Sequence, residues 1–320
     1  MDLYRFKMVV YIERRKFIFW VECNFEMSVS KTLDDKSQSV HPLKFNVYFK
    51  MRGEKIVTEK KIIVQFTMLT FCIAYLVSGA LIALGQFGYS VHNWVHTLQQ
   101  FGMNIPFAIY ILSPAIASYI VLKKNNKIAD FKEWLKSVFY AKNNISLYLY
   151  VVAGLSLYFL IHLGFSGRKE MVLPFYTFFL SLPGNLIIGG LEEAGWMYIL
   201  QPELDKKYGF VLSSIYVGII WILWHIPLFF IPGTNHGEGL INFWMFIVQL
   251  IAFRFFNGAI YKISGKGRVF MCVLFHTMFN AASPIFGTMT MTWAGTIAAN
   301  DMIVLVSIIT VVIYDKRISE

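Results

Sequence analysis

Residues 62–85 read IIVQFTMLTFCIAYLVSGALIALG, 24 positions without a charged side chain. A bilayer core of about 30 Å is crossed by ~20 apolar residues in an α-helix, so this stretch is long enough to span it. Working outward, comparable runs recur at about 105–122, 146–165, 172–199, 210–231, 241–262, 269–286 and 296–314. The fold class this predicts is all-α: a polytopic membrane helix bundle of about eight spans over 62–320. Residues 1–61 differ, being basic and interrupted by Ser, Asp and Lys from Ser28 to Ser39. They are expected to form a short, partly disordered soluble appendage on the cytoplasmic side, with some strand near Phe17 to Val21. The first apolar stretch is broken by Glu13, Arg14, Arg15 and Lys16, so no cleavable signal peptide is expected.

Composition agrees with a membrane protein. Across 320 residues, 57% are hydrophobic and 15% charged, where a soluble domain carries roughly 25%. The net charge of +10 does not point to nucleic acid, because Lys and Arg sit in short clusters between apolar runs. Lys123, Lys124, Lys127, Lys132 and Lys136 follow the second run, Lys206 and Lys207 the fourth, and Lys262, Lys266 and Arg268 the sixth. Loops 86–104, 232–240 and 287–295 hold neither Lys nor Arg. The positive-inside rule then places both termini in the cytoplasm of a cell-membrane protein, which requires an even number of spans. Arg168 and Lys169 stand against that pattern. Residues 126–140 alternate charge with Phe131, Trp134, Leu135 and Val138, which predicts an amphipathic helix on the membrane surface. Cys23, Cys72 and Cys272 lie far apart and show no metal-ligand spacing.

Charged side chains inside a span cost about 2.5 to 3.5 kcal/mol or more, so those present call for a function. Glu192 and Glu193 follow an uncharged run from Leu173 to Gly190. His225 ends Trp221-Ile-Leu-Trp-His, and His276 and Asn280 share one helix face. At the helical rise per residue, His276 lies about 12 Å in from Arg268, Glu192 about 18 Å from Leu204 and His225 about 24 Å from Gly209. With tilted helices the three share one cavity. Two chemistries suit such a set. In one, a glutamate takes a proton from water held against His225, and His276 and Asn280 donate to the oxyanion. In the other, Glu193, His225 and His276 bind Zn²⁺, as a carboxylate and imidazole set with an open position does. The sequence does not separate them. Trp196, Trp221 and Trp224 are expected to line helix interfaces, Gly189, Gly190 and Gly195 to permit close approach or a break, and His92, His96 and His236 to be solvated in outer loops.

At these residues the chain resembles the CPBP family of intramembrane proteases, which includes type II CAAX prenyl endopeptidases and bacteriocin-immunity proteins. Residues 191–204, LEEAGWMYILQPEL, resemble its first motif. Residues 221–230, WILWHIPLFF, resemble its second, and 276–280, HTMFN, its third. The resemblance covers about 180–285 and implies an eight-helix membrane fold with Glu192 as general base and Glu193 as its supporting partner. His225 would position the water, and His276 with Asn280 would stabilise the oxyanion. The implied activity is endopeptidase cleavage of a membrane-associated peptide or protein, in a family named as metalloproteases. One position departs: an arginine is usual five residues after the first glutamate, and here stands Met197, followed by Tyr198 where glycine is common. Arg254 in the sixth span either substitutes for it in space or snorkels to the cytoplasmic surface. The departure favours the alternative function, a catalytically degenerate binding or immunity protein using the same cavity.

Overall fold

A computed structural model describes residues 58–166, 173–265, 268–286 and 292–319, with the backbone of strand segments before residue 50. The chain divides into two compact units, Met1–Val57 and Thr58–Glu320. The first contains β1 (Asp2–Val9), β2 (Ile12–Glu13), β3 (Ile18–Phe19), β4 (Val21–Val29) and β5 (Phe45–Phe49). β4 lies between β1 and β5, antiparallel to both, with Phe6 opposite Phe25 and Phe25 opposite Phe45; β2 pairs with β3.

The second unit is all-helical. Its α1 (Thr58–Gly85), α2 (Leu98–Ile111), α3 (Ser113–Lys124), α4 (Phe131–Val138), α5 (Ile145–Ser166) and α6 (Tyr176–Ile187) precede the glutamates. A 3₁₀ turn (Gly190–Glu192), α7 (Glu193–Gly195) and a π-helical turn (Trp196–Leu200) carry them. There follow α8 (Gln201–His225), a 3₁₀ segment (Ile226–Phe230), α9 (Phe243–Ser264), α10 (Phe270–Phe286) and α11 (Trp293–Ser319). Among the described residues five helical stretches are long and apolar enough to cross a membrane, or six when the pair α2 and α3, bent by 53°, is one span. One of the five, Tyr176–Phe230, is 55 residues long and is interrupted at Gly189 and Gly209, while α10 is a shorter apolar helix. A count of eight would require two passes in that stretch and one in α10. Arg168, Lys169 and Lys266 lie outside the described residues.

The differences from expectation have local causes. The second run starts at Leu98, where Thr97 caps the helix by accepting from Gln100 N–H, and it bends before Pro114, which cannot donate to the preceding turn. The fourth run breaks at Ile188 and Gly189, whose φ of 134° is closed to other residues. α4 is amphipathic, but its apolar face is seated on protein: Trp134 is buried and its indole N–H donates to Ser118 Oγ at 3.0 Å. Asp130 caps it, accepting from Glu133 N–H.

α9 lies at the centre of the bundle, packed against α8, α10 and α11. Every residue from Ala252 to Tyr261 is buried, so this helix turns no long face to lipid. Peripheral helices behave differently: Leu76, Leu149, Phe179, Leu180 and Leu305 are more than half exposed, as lipid-facing side chains are. A charge on α9 therefore has to find its partner inside the protein.

Candidate active site

Glu192 and Glu193 are adjacent in the chain but meet different partners. Both enter the site because the backbone breaks just before them and passes against α10. At Gly189 a side chain would collide with Asn280, and at Gly190 with Thr277, so close approach requires glycine at both. Glu193 is fully buried. Arg254 Nη2 donates to its Oε1 at 2.7 Å and Nη1 to its Oε2 at 2.8 Å, a bidentate pair between two fully buried side chains. His276 Nδ1–H donates to the same Oε1 at 2.8 Å. Isolated charges at this depth are costly, and paired geometry of this kind is what offsets the cost.

Glu192 is 3% exposed and makes one hydrogen bond among the described residues, accepted by Oε2 from the Trp221 indole N–H at 2.9 Å. Trp221 is the hub of the site. Its ring face lies 3.7 Å from Arg254 Cζ, a cation–π contact in a dry interior. His225 packs edge-on to it at 4.7 Å between ring centres, and His276 at 5.7 Å.

His225 stands where α8 ends. Pro227 has no N–H to continue the α-helix, and the chain tightens into a 3₁₀ segment. That helix end is fastened from outside: Tyr75 Oη donates to Leu223 O and Tyr110 Oη to Trp224 O, each at 2.7 Å, and the Trp224 indole N–H donates to Ser113 Oγ at 3.0 Å. His225 Nδ1–H donates to Trp221 O at 2.9 Å, which leaves Nε2 as an acceptor. Asn280, one turn beyond His276, donates from Nδ2 to Ile188 O at 3.3 Å, a long bond that keeps its second N–H free for another acceptor.

Of the five residues expected from sequence, Glu192, His225 and His276 meet one indole, Glu193 is bonded to His276, and Asn280 lies one turn beyond His276. Two more belong with them. Trp221 does more than line an interface, since it holds Glu192 and Arg254 together. Arg254 does not snorkel: it occupies Glu193 from a different helix. Its signal was present, because it is the single charge between Glu238 and Lys262, and an unaccompanied intramembrane charge demands a partner.

Of the set Glu193, His225 and His276, Glu193 has both oxygens taken up by Arg254 and His276, while each histidine uses Nδ1 for a hydrogen bond and keeps Nε2. Among the described residues no three His, Cys, Asp or Glu side chains are placed to share an ion. His236 also departs from expectation. It is partly buried rather than solvated, packed edge-on to Phe229 at 4.9 Å and Phe246 at 4.8 Å, with Nε2 inside. Burial pushes its imidazole down to about 4.

Fold and site define a class: a multi-pass helical membrane protein with a glutamate, histidine and asparagine centre buried among its spans. A family model described as type II CAAX prenyl endopeptidase Rce1-like matches residues 174–282, the segment that contains every residue of that centre. A CAAX prenyl protease 2 of Methanococcus maripaludis is 23% identical over 228 residues, 65% of this chain and 80% of that protein. Both similarities agree with the resemblance of the three motifs to the CPBP family of intramembrane proteases.

Proposed function

We propose that this protein is an intramembrane endopeptidase that hydrolyses a peptide bond near the C-terminus, or within a short segment, of a membrane-associated peptide or protein. The observation that carries this reading is the unequal treatment of two neighbouring carboxylates. Glu193 is paired with Arg254 through both oxygens and orients His276 through one of them, whereas Glu192 keeps one oxygen without a hydrogen-bond partner among the described residues. One carboxylate serves as scaffold and the other is left to accept a proton.

Water bound in the site gives one hydrogen to Glu192 and the other to His225 Nε2, and its lone pair then faces the scissile carbonyl. As oxygen bonds to the carbonyl carbon, Glu192 takes the first proton and the carbonyl electrons move to oxygen. Asn280 Nδ2–H and His276 Nε2–H donate to that oxyanion. Because Nδ1–H of His276 is committed to Glu193, it donates from Nε2 as the imidazolium, for which Glu193 is the counter-charge. The tetrahedral species collapses, the C–N bond breaks, and Glu192 returns its proton to the leaving nitrogen. The products are a carboxylic acid and an amine, which become carboxylate and ammonium when the acid's remaining proton passes to the amine. The bidentate contact of Arg254 removes the main reason to read the chain as catalytically degenerate, since Glu193 has its guanidinium despite Met197. The Lys and Arg pattern supports a cell-membrane location with both termini in the cytoplasm.

The test compares membranes of cells carrying the intact protein, Glu192→Gln and His276→Ala, scored by mass spectrometry for peptides formed with the intact chain alone. Products lost in both variants support the reading. Identical peptide profiles with all three forms equally abundant overturn it and favour a binding protein.

A further inference from the structure

His236 belongs to the loop that follows the His225 segment, and that loop is built rather than draped. Thr234 Oγ1–H lies 2.9 Å from Leu228 O and from Ile231 O, and the same oxygen accepts from Gly237 N–H at 2.9 Å. Gly233 N–H donates to Glu238 Oε1 at 2.8 Å. A second loop braces the first: Val91 N–H donates to Pro232 O at 2.9 Å and Asn93 Nδ2 to Asn235 Oδ1 at 3.1 Å. Gly233, at a φ of 80°, sits so close to Val91 that a side chain there would strike its backbone. A loop held at this many points fixes the ring it carries.

That ring is aimed inward. Phe229 and Phe246 flank it, and Phe246 also packs against His225 at 5.2 Å, so both imidazoles share one aromatic wall. His236 Nε2 is buried and has no hydrogen-bond partner among the described residues. A polar nitrogen enclosed by phenyl rings costs free energy unless something occupies it. The centres of His225 and His236 are 6.5 Å apart, with the rings tilted by 37°. This is too far for a direct hydrogen bond between the rings and within the span of a single water standing about 2.9 Å from a nitrogen of each.

We propose that His236 is a further residue of the site: it holds the attacking water together with Nε2 of His225, between the two imidazoles, its own Nε2–H donating to the water oxygen whose remaining lone pair faces the carbonyl. The inference rests on the reading of His225 as the water-holding residue. His236 meets the reacting water from a loop outside the three motifs, and gives that water a second fixed partner beside an imidazole whose one hydrogen bond among the described residues goes to Trp221 O.

The experiment uses the full-length protein in lipid nanodiscs with ¹⁵N-labelled histidine, as intact chain, His236→Phe and His236→Gln. Imidazole ¹⁵N shifts report hydrogen bonding at each nitrogen and require no turnover. The expected result is that His236→Phe moves the His225 Nε2 resonance by several ppm, and that His236→Gln, which keeps a hydrogen-bonding group near the same place, restores most of it. On a peptide found in the membrane comparison, His236→Phe lowers kcat about tenfold with KM little changed, and His236→Gln recovers activity. A His225 resonance unmoved by His236→Phe overturns the proposal, as does a variant that unfolds at the same temperature in both substitutions while losing kcat equally. If the intact protein cleaves nothing, the protease reading fails, and the nitrogen spectra still decide whether the two histidines are coupled.

Discussion

The site has two walls, and they are built on opposite terms. On one, Glu193 from α7, Arg254 from α9 and His276 from α10 satisfy one another, and both carboxylate oxygens are occupied. On the other, Glu192 from the 3₁₀ turn, His225 from the end of α8 and His236 from the loop that follows each keep an oxygen or nitrogen with no hydrogen-bond partner among the described residues. The first wall fixes charge in a medium where loose charge is costly, and the second leaves atoms available for water and substrate. Trp221 stands between them, offering its N–H to one and its ring face to the other.

The largest expected effect comes from removing chemistry on the open wall while leaving the closed one intact. Glu192→Gln keeps the shape and a hydrogen-bond acceptor for Trp221 but cannot take a proton, so turnover falls by about 10²- to 10⁴-fold. The protein remains folded and abundant. Turnover within tenfold of the intact chain would mean that Glu192 is not the base and that the two walls have been assigned the wrong way round.

Breaking the closed wall should act on stability first. Arg254→Met leaves a buried carboxylate with its imidazole partner alone, a loss of about 3 to 5 kcal/mol, read as a lower melting temperature in detergent. Position 197 lies four residues after Glu193, on the same side of its helix, and Met197 is fully buried. Adding Met197→Arg to Arg254→Met is therefore expected to recover much of the lost stability, because a guanidinium one turn away reaches the same oxygens. A double variant less stable than Arg254→Met alone would show that the central helix is the one place from which Glu193 can be served. Trp221→Phe tests the hinge between the walls. It keeps an aromatic face for Arg254 and deletes the donor to Glu192, so activity drops about tenfold or more, as loss of a hydrogen bond to a charged group does, with a smaller change in melting temperature.

The same contrast explains how much was legible in the sequence. Apolar runs fixed the helical membrane class, and the polar residues that interrupt them named Glu192, Glu193, His225, His276 and Asn280. What a linear pattern does not carry is rotation. Arg254 is 61 positions from Glu193, and only the turn of α9 about its own axis decides whether its guanidinium points at a carboxylate or towards the membrane surface. Trp221 is one of eight tryptophans in an apolar chain, and its role depends on which way one N–H points. The break at Gly189 was foreshadowed by paired glycines, yet its consequence, backbone pressed against Asn280, is a matter of packing. His236 carried no signal, since a histidine among Gly, Asn and Glu reads as exposed until the loop is seen to fold inward.

The smallest expected effect concerns that histidine and distinguishes a buried ring from a solvated one. Burial holds His236 near 4 when folded, below the ordinary value of about 6.5 that the unfolded chain shows. Between those two values the unfolded chain binds a proton that the folded one refuses. Stability therefore falls as pH is lowered from about 6.5 to about 4, and above that window this group adds no pH dependence. Other groups titrate across the same range, so the quantity to follow is the difference in melting temperature between the intact protein and His236→Phe. That difference is expected to move in favour of the variant as pH falls from 7 to 5, by a few degrees. A difference constant with pH would mean that His236 takes up its proton equally in both states, and the open wall would then end at His225.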